Sequence, residues 1–290
     1  MSKAASELVL NADGSIYHCN IKPEHLADTI ITVGDPNRVE KVSRHFDTIE
    51  HKASKREIVT HTGTLNGKRL TVISTGMGTD NIDIVFSELD ALANIDLETG
   101  ETKKDFKKLS FIRFGTSGAL QADIPVDSYV IGSHGLGLDG LLHYYVGSEA
   151  VMNKEIEDAF IKHVNWSENK ARPYLVKGSD SILNKLASEQ TIQGITATAC
   201  GFYGPQGRFL RLEPNPANIN ELLTSFNYDG LRISNFEMET SAIYGLAAMM
   251  GHEALSINAI VANRILGEFS ADSYKTIDAM IEYSLDKLTK

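Results

Sequence analysis

Ser110 to Leu120 reads SFIRFGTSGAL. The apolar run over Ser110 to Phe114 predicts a buried strand, and the GTSG that follows predicts a glycine-rich turn at its carboxyl end. Arg113 stands inside that run, where an unpaired guanidinium is costly to bury, so the segment demands an anionic partner for it. Two partners meet the demand: a bound anion, with Thr116 and the turn amides as added donors, or an internal carboxylate in a salt bridge. In both cases a charge sits at the end of a buried strand, where ligands collect in open α/β sheets.

The pattern recurs outward from this stretch. TIITV before Gly34, LTVIST before Gly76, GITATA before Cys200, LRISN before Phe236 and ALSINAIV ending at Val261 read as short buried strands alternating with amphipathic stretches. That alternation predicts an α/β fold, a sheet covered by helices. Asn66-Gly67, between VTHTGTL and KRLTVIST, is a type I′ hairpin signal, so part of the sheet is antiparallel and the whole is mixed. The chain carries neither an internal repeat nor a Pro/Ser-rich linker. The one composition shift is DLETGETKKDFKK, Asp96 to Lys108, with eight charged residues of thirteen, expected as a solvated excursion between a helix and SFIRF.

Composition narrows the function classes. At 290 residues, 42% hydrophobic and 23% charged, the chain buries a substantial core, and α/β folds of this size commonly form one domain. A net charge of −10 argues against adhesion to nucleic acid or anionic membrane, so any anionic ligand must meet a local cationic pocket. Cys19 and Cys200 are the only cysteines, without CxxC or zinc spacing, which predicts neither a disulfide framework nor a structural metal and fits a reducing cytoplasm. MSKAASELVLNADG lacks the apolar core of a signal peptide, and no apolar run is long enough to span a bilayer.

Three more strand ends carry chemistry. In GDPNRVEKV, Gly34 permits close backbone approach, Pro36 suits a first helical turn, and Arg38 is positioned to curl back toward that helix N-terminus; the stretch reads as an anion cradle or as structural punctuation. In SNFEMETSAIYGLAAMM, Glu237 and Glu239 bracket Met238 before a strongly helical run. One carboxylate there serves the helix dipole, while two that project differently leave one for vicinal hydroxyls, with Met238 as a soft surface for a sugar ring. FYGPQGR, Phe202 to Arg208, is a turn by its glycines and proline, yet it carries an aromatic ring, an amide and a guanidinium.

Taken in order, YHCNIKPEHL, GDPNRVEKV, SKREI, STGMGTDNIDI, IRFGTSGAL, FYGPQGR, NFEMETSAIYGL and IVANR resemble the nucleoside phosphorylase family, which includes uridine phosphorylases and the hexameric bacterial purine nucleoside phosphorylases. The resemblance covers nearly the whole chain. It implies a single α/β domain over residues 1–290, with a mixed, partly closed sheet, and phosphorolysis of an N-glycosidic bond to free base and ribose 1-phosphate. It implies that Gly34, Arg38, Arg113 and Thr116 hold phosphate, joined by Arg56 from a neighbouring subunit. Glu239 and Met238 would take the ribose with Glu237 in support, and His18 of the neighbour would reach the 5′-hydroxyl. Phe202 would stack on the base, Gln206 and Arg208 would read uracil, and Arg264 would help order Arg208. On this reading Arg113, Arg208 and Glu239 carry the catalytic work.

The resemblance also implies a homo-oligomer, a dimer or a trimer of dimers, acting on nucleoside and phosphate with no metal or organic cofactor. Some bacterial uridine phosphorylases hold a monovalent cation near the counterparts of Glu57 and of GMGTDNIDI; Thr79, Asp80 and Asn81 depart from that pattern, so no cation is assigned. Purine-processing relatives place an aspartate after the strand that here ends in IVANR, where this chain has Asn263 and Arg264, favouring uridine. A purine or broad-specificity phosphorylase remains the alternative. A nucleosidase would not need Arg38, Arg56 and Arg113 together, and a nucleoside sensor would not need a phosphate pocket.

Overall fold

The structure, a computed structural model, describes residues 4–290; the first three residues of MSKAASELVLNADG lie outside it. Twelve strands run in chain order as β1 (Thr29–Val33), β2 (Thr48–Lys55), β3 (Ile58–Leu65), β4 (Lys68–Ser74), β5 (Ser110–Ala119) and β6 (Tyr129–Gly137). They continue as β7 (Tyr174–Lys177), β8 (Thr191–Thr198), β9 (Asn227–Tyr228), β10 (Leu231–Glu237), β11 (Glu253–Asn263) and β12 (Glu268–Phe269). The helices are α1 (Pro36–Ser43), α2 (Thr79–Asn94), α3 (Lys154–Val164), α4 (Asp180–Leu186), α5 (Ile219–Ser225), α6 (Thr240–Met249) and α7 (Ser273–Thr289).

β5 organises the sheet because it is buried over most of its length and pairs with three other strands. Its first half pairs in parallel with β1, and it pairs in parallel with β11 along its whole length. Its last two residues, Gly118 and Ala119, pair antiparallel with β10. Since β11 also pairs with β6, β6 with β8 and β8 with β10, five strands close into a ring, β5-β11-β6-β8-β10. Register shifts in the β8–β10, β5–β11 and β6–β8 ladders bend the strands enough to close it. Four further strands extend from β5 as a wing, β1-β4-β3-β2, while β7, β9 and β12 pair with β6, β10 and β11, so the sheet is mixed and partly closed as expected. The Asn66-Gly67 hairpin forms with φ of 52° and 76°, the left-handed pair that a type I′ turn requires.

One expectation changes and another gains detail. GTSG is not a turn: β5 continues through it to Ala119. Gly115 is needed there because a Cβ would fall 1.5 Å from Arg113 Nη1 and 2.4 Å from Asn258 Oδ1, so its missing side chain is the space the guanidinium fills. The Asp96–Lys108 segment does lie between α2 and β5, but it is tied down as well as solvated. Thr102 bridges Ile95, Lys107 N donates to Asn94 Oδ1 (2.7 Å), and Phe106 stacks on His252 at 5.5 Å.

The helices cover the sheet where their apolar faces demand it. α2 lays Ile82, Val85, Phe86 and Leu89 into one core shared with β1, β5, α6 and α7. α3 and α5 build a second around Phe160, Leu223 and Phe226 against β8 and β10. No helix among the described residues is long and apolar enough to cross a membrane.

The two glycines make opposite demands, which a denaturation experiment separates. Gly67→Ala meets open space and only the left-handed backbone penalty, so it costs about 1 kcal/mol. Gly115→Ala drives a methyl into a buried guanidinium and costs about 3 kcal/mol. Equal losses from the two variants in urea unfolding would show that Arg113 does not occupy the space above Gly115.

Candidate active site

The centre of the site is a buried charge cluster where β5, β10 and β11 meet. Arg113 is 6% exposed, and its Nη1 donates to Asn258 Oδ1 of β11 at 2.7 Å. Its Nη2 donates to Glu239 Oε2 at 2.5 Å and lies 3.3 Å from Glu237 Oε2. The internal salt bridge weighed from the sequence is therefore present, and both acidic partners come from EMET. Burial works to lower the Arg113 pKa, but Glu237 and Glu239 outweigh it and the net shift is upward.

The two glutamates divide their work. Glu237 accepts from Thr198 Oγ1 (2.7 Å) and from the backbone N–H groups of Glu239 and Thr240 (3.0 Å each), so it caps α6 as a dipole partner. Burial raises its pKa against the pull of Arg113. Glu239 instead accepts from Gly78 N at 2.8 Å as well as from Arg113. Gly78, the residue before α2, has φ of 95° and so turns its N–H onto a carboxylate 161 residues away. Met238, between the two, is half-buried.

Arg38 reaches this cluster, although not as expected. It does not curl back to the start of α1, whose cap is Asp35 accepting from Asn37 N; its Nη1 crosses to Phe114 O at 3.1 Å. Desolvation, then the charge of Arg113, lowers its pKa to about 10. Gly34 sits where a Cβ would contact Gly76 O at 3.4 Å. Thr116 stands half-buried three residues beyond Arg113 on β5. Gly34, Arg38, Arg113, Thr116, Glu237 and Glu239 thus lie on or just beyond the adjoining strands β1, β5 and β10, with two guanidiniums opposed by two carboxylates.

The FYGPQGR loop leaves the end of β8. Gly204–Gln206 forms one 3-10 turn closed by Gly207 at φ 66°, beneath which Ile219 and Asn220 leave no room for a side chain. Arg208 Nη1 donates to Gln206 Oε1 and to Phe202 O, both at 2.6 Å, and its guanidinium lies 3.7 Å from the Phe202 ring centre. Arg208 therefore covers a face of the ring that was expected to receive a base. Arg264 joins through the backbone, donating from Nη2 to Gln206 O at 3.3 Å, and its Nη1 is buried without a partner. Burial, then the charge of Arg264, brings the Arg208 pKa down to about 10; burial lowers that of Arg264 as well. Neither guanidinium forms an ion pair among the described residues.

His18 and Arg56 come together elsewhere. Glu88 of α2 accepts from the backbone N–H groups of His18 and Cys19 and meets His18 Nδ1 at 2.6 Å. Arg56 sits at φ 54° on the exposed turn between β2 and β3. Both line a small cavity of about 70 Å³ with Glu57 and Asn81. Neither bonds to the Arg113 cluster among the described residues.

Three contributors escaped the sequence reading. Gly78 acts through a backbone N–H, and Asn258 lies within an apolar run that reads as core. Asn220 is the third: with its amide oxygen toward Arg264 (3.2 Å) and its nitrogen toward Gln206 O (3.3 Å), it clamps the loop to the arginine. Removing that clamp should loosen the loop alone. Asn220→Ala is expected to speed amide hydrogen exchange across residues 201–209 by about tenfold while leaving β5 and β10 unchanged. Unaltered exchange in the loop would remove Asn220 from this role.

Residues 28–283 match the family model described as the phosphorylase superfamily. A uridine phosphorylase of Thermococcus kodakarensis is 32% identical over 265 residues, which is 89% of this chain and 80% of the relative. A DeoD-type purine nucleoside phosphorylase of Oceanobacillus iheyensis is 27% identical over 278 residues, 94% of this chain and 99% of the relative. A crystal structure of a Trypanosoma brucei nucleoside phosphorylase, described as showing uridine phosphorylase activity, superposes with a TM-score of 0.84 at 32% identity, covering 96% of this chain and 99% of that one.

Proposed function

The chain belongs to the phosphorylase superfamily, and we propose that within it the protein is a uridine phosphorylase, converting uridine and phosphate to uracil and ribose 1-phosphate. The observation that carries the base assignment is Asn263. Its Nδ2 donates to Gln121 O (2.9 Å) and Ile124 O (2.8 Å), and its Oδ1 accepts from Ile265 N and Leu266 N (2.9 Å each). That amide is fully occupied in holding the backbone and has no proton to give a purine ring. The next residue, Arg264, turns to Gln206 and supports the donor and acceptor array that matches a pyrimidine imide.

On this reading, phosphate lies among Gly34, Arg38, Arg113 and Thr116, completed by Arg56 of a neighbouring subunit. Glu239 accepts from the ribose hydroxyls, Met238 packs on the sugar, Glu237 positions both, and His18 of the neighbour meets the 5′-hydroxyl. A phosphate oxygen attacks C1′ as the bond to N1 of uracil breaks, and the electron pair passes into the ring and onto its carbonyl oxygens. Positive charge grows on the ribose above the phosphate, and negative charge grows beside Arg208. Among the described residues Arg208 and Arg264 have no carboxylate partner, so an anionic base is the counter-ion their surroundings leave unsupplied. Contacts that strengthen as this charge appears are the ones that speed the step. The DeoD-type relative supports a purine nucleoside as the second reading, and turnover of inosine distinguishes the two.

The reaction class is checked by leaving out phosphate: uracil release from uridine should fall to background, and equal turnover without phosphate would indicate a hydrolase. In the same assay Arg208→Ala should lower kcat/KM for uridine by about ten- to a hundredfold, with inosine much less affected. A parallel loss on both substrates would take base recognition away from the loop.

The shared site is checked by mixing. Arg56→Ala and Glu239→Ala proteins, each inactive alone, should regain part of the activity when their subunits exchange, because some hybrid sites then carry neither lesion. A fully active monomer in sedimentation, or no recovery after demonstrated exchange, would place Arg56 outside the site.

A further inference from the structure

The 202–208 loop has two flanks. β8 lies between β6 and β10 in the sheet, so the loop leaving β8 has the glutamate-bearing end of β10 on one side and the end of β6 on the other. On the β6 flank is a cavity of about 780 Å³, a size that takes a small organic ligand. Leu138 and Asp139, just past β6, line it together with Cys200, just past β8. Arg38, Arg113, Thr116, Glu237 and Glu239 are all absent from its walls. It shares one residue with the proposed base site, Arg208.

Its lining has a definite chemistry. Trp166 and Tyr203 supply aromatic surface, and Pro205, Leu210, Leu212 and Ile219 make most of the remaining wall apolar. Lys170, Arg208 and Arg211 bring three cations, none of which forms an ion pair among the described residues. Lys170 is held by Asn215 O and Arg208 by two neutral oxygens. Of the two carboxylates in the wall, Asp139 is engaged by Tyr174, Ser241 and Leu141 N, leaving Glu213 as the other acid in the lining.

We propose that this cavity is a second, effector site for a flat aromatic anion of one or two rings, whose ring packs on Trp166 and Tyr203 and whose charge faces Lys170, Arg211 and the rear of Arg208. The site stands independently of the reaction; its coupling to catalysis rests on the uridine reading. An anion behind the loop draws on the guanidinium that holds Gln206 Oε1 and Phe202 O, so the occupant and the base oppose each other through Arg208. By linkage, each then weakens the other by the same factor.

The chain's one tryptophan is in the wall, which makes the test direct. With 8-anilinonaphthalene-1-sulfonate as probe, one dye per chain should bind and receive excitation energy from Trp166. Leu212→Asp and Arg211→Glu alter exposed side chains outside the proposed catalytic machinery, so uridine turnover without dye should be unchanged. Each should weaken dye binding by about tenfold or more. In the wild type, saturating dye should raise the KM for uridine by about fivefold and then level off, as finite coupling between two sites requires. Several dyes per chain, no transfer from Trp166, or unchanged affinity in both variants would overturn the site. A KM that climbs without limit would put the dye in the base site and overturn it too, while a KM unmoved at dye saturation would overturn the effector role. If uridine is not turned over at all, the uridine reading fails and the dye measurements still decide whether the cavity binds.

Discussion

The architecture depends on keeping one guanidinium charged inside the closed ring of strands. Arg113 is buried on β5, and a bare charge there would cost several kcal/mol. Its compensation recruits most of the site: Glu237 and Glu239 from the end of β10, Asn258 from β11, the emptied position at Gly115, and Gly78 as second donor to Glu239. Because these partners lie on separate elements, the charge cluster ties β5, β10, β11, α2 and α6 at one point. Removing one partner leaves the others uncompensated, a penalty of about 3–5 kcal/mol for a buried pair.

The loop beyond β8 works by the opposite principle. Arg208 and Arg264 stand close enough to lower the former's pKa, and neutral oxygens rather than carboxylates satisfy the bonds they make. The Arg113 cluster is compensated before any ligand arrives, whereas the loop carries positive charge that the protein has not neutralised. On the proposed reading this difference matches the two ends of the reaction. The phosphate and ribose side must be rigid, and the base side must be ready for charge that exists only as the bond breaks.

Much of this was legible in the sequence, and the misses have physical causes. Apolar runs such as TIITV and ALSINAIV announced themselves as strands because both their faces are buried, and Asn66-Gly67 announced its hairpin because few other pairs tolerate two left-handed residues. GTSG misled because glycine marks a turn and also marks a place where something must pass close to the backbone; only the position of Arg113 decides between them. Arg38 and Glu237 stand in stretches that follow or end apolar runs in the sequence, yet their bonds to Phe114 O and to the start of α6 depend on which strands end together. Ring closure, the N–H of Gly78 and the Asn220 clamp are long-range or backbone features with no local pattern.

The placement of the loop gives the molecule a division of labour by segment. Every residue of the charge cluster hangs from the sheet or from helices capped on it, while Phe202, Gln206 and Arg208 lie within seven consecutive positions fastened by a single 3-10 turn, Asn220 and Arg264. Such a segment behaves as a cassette. On the proposed reading, exchanging its letters as a unit would alter what the protein recognises while the charge cluster beneath it keeps its shape.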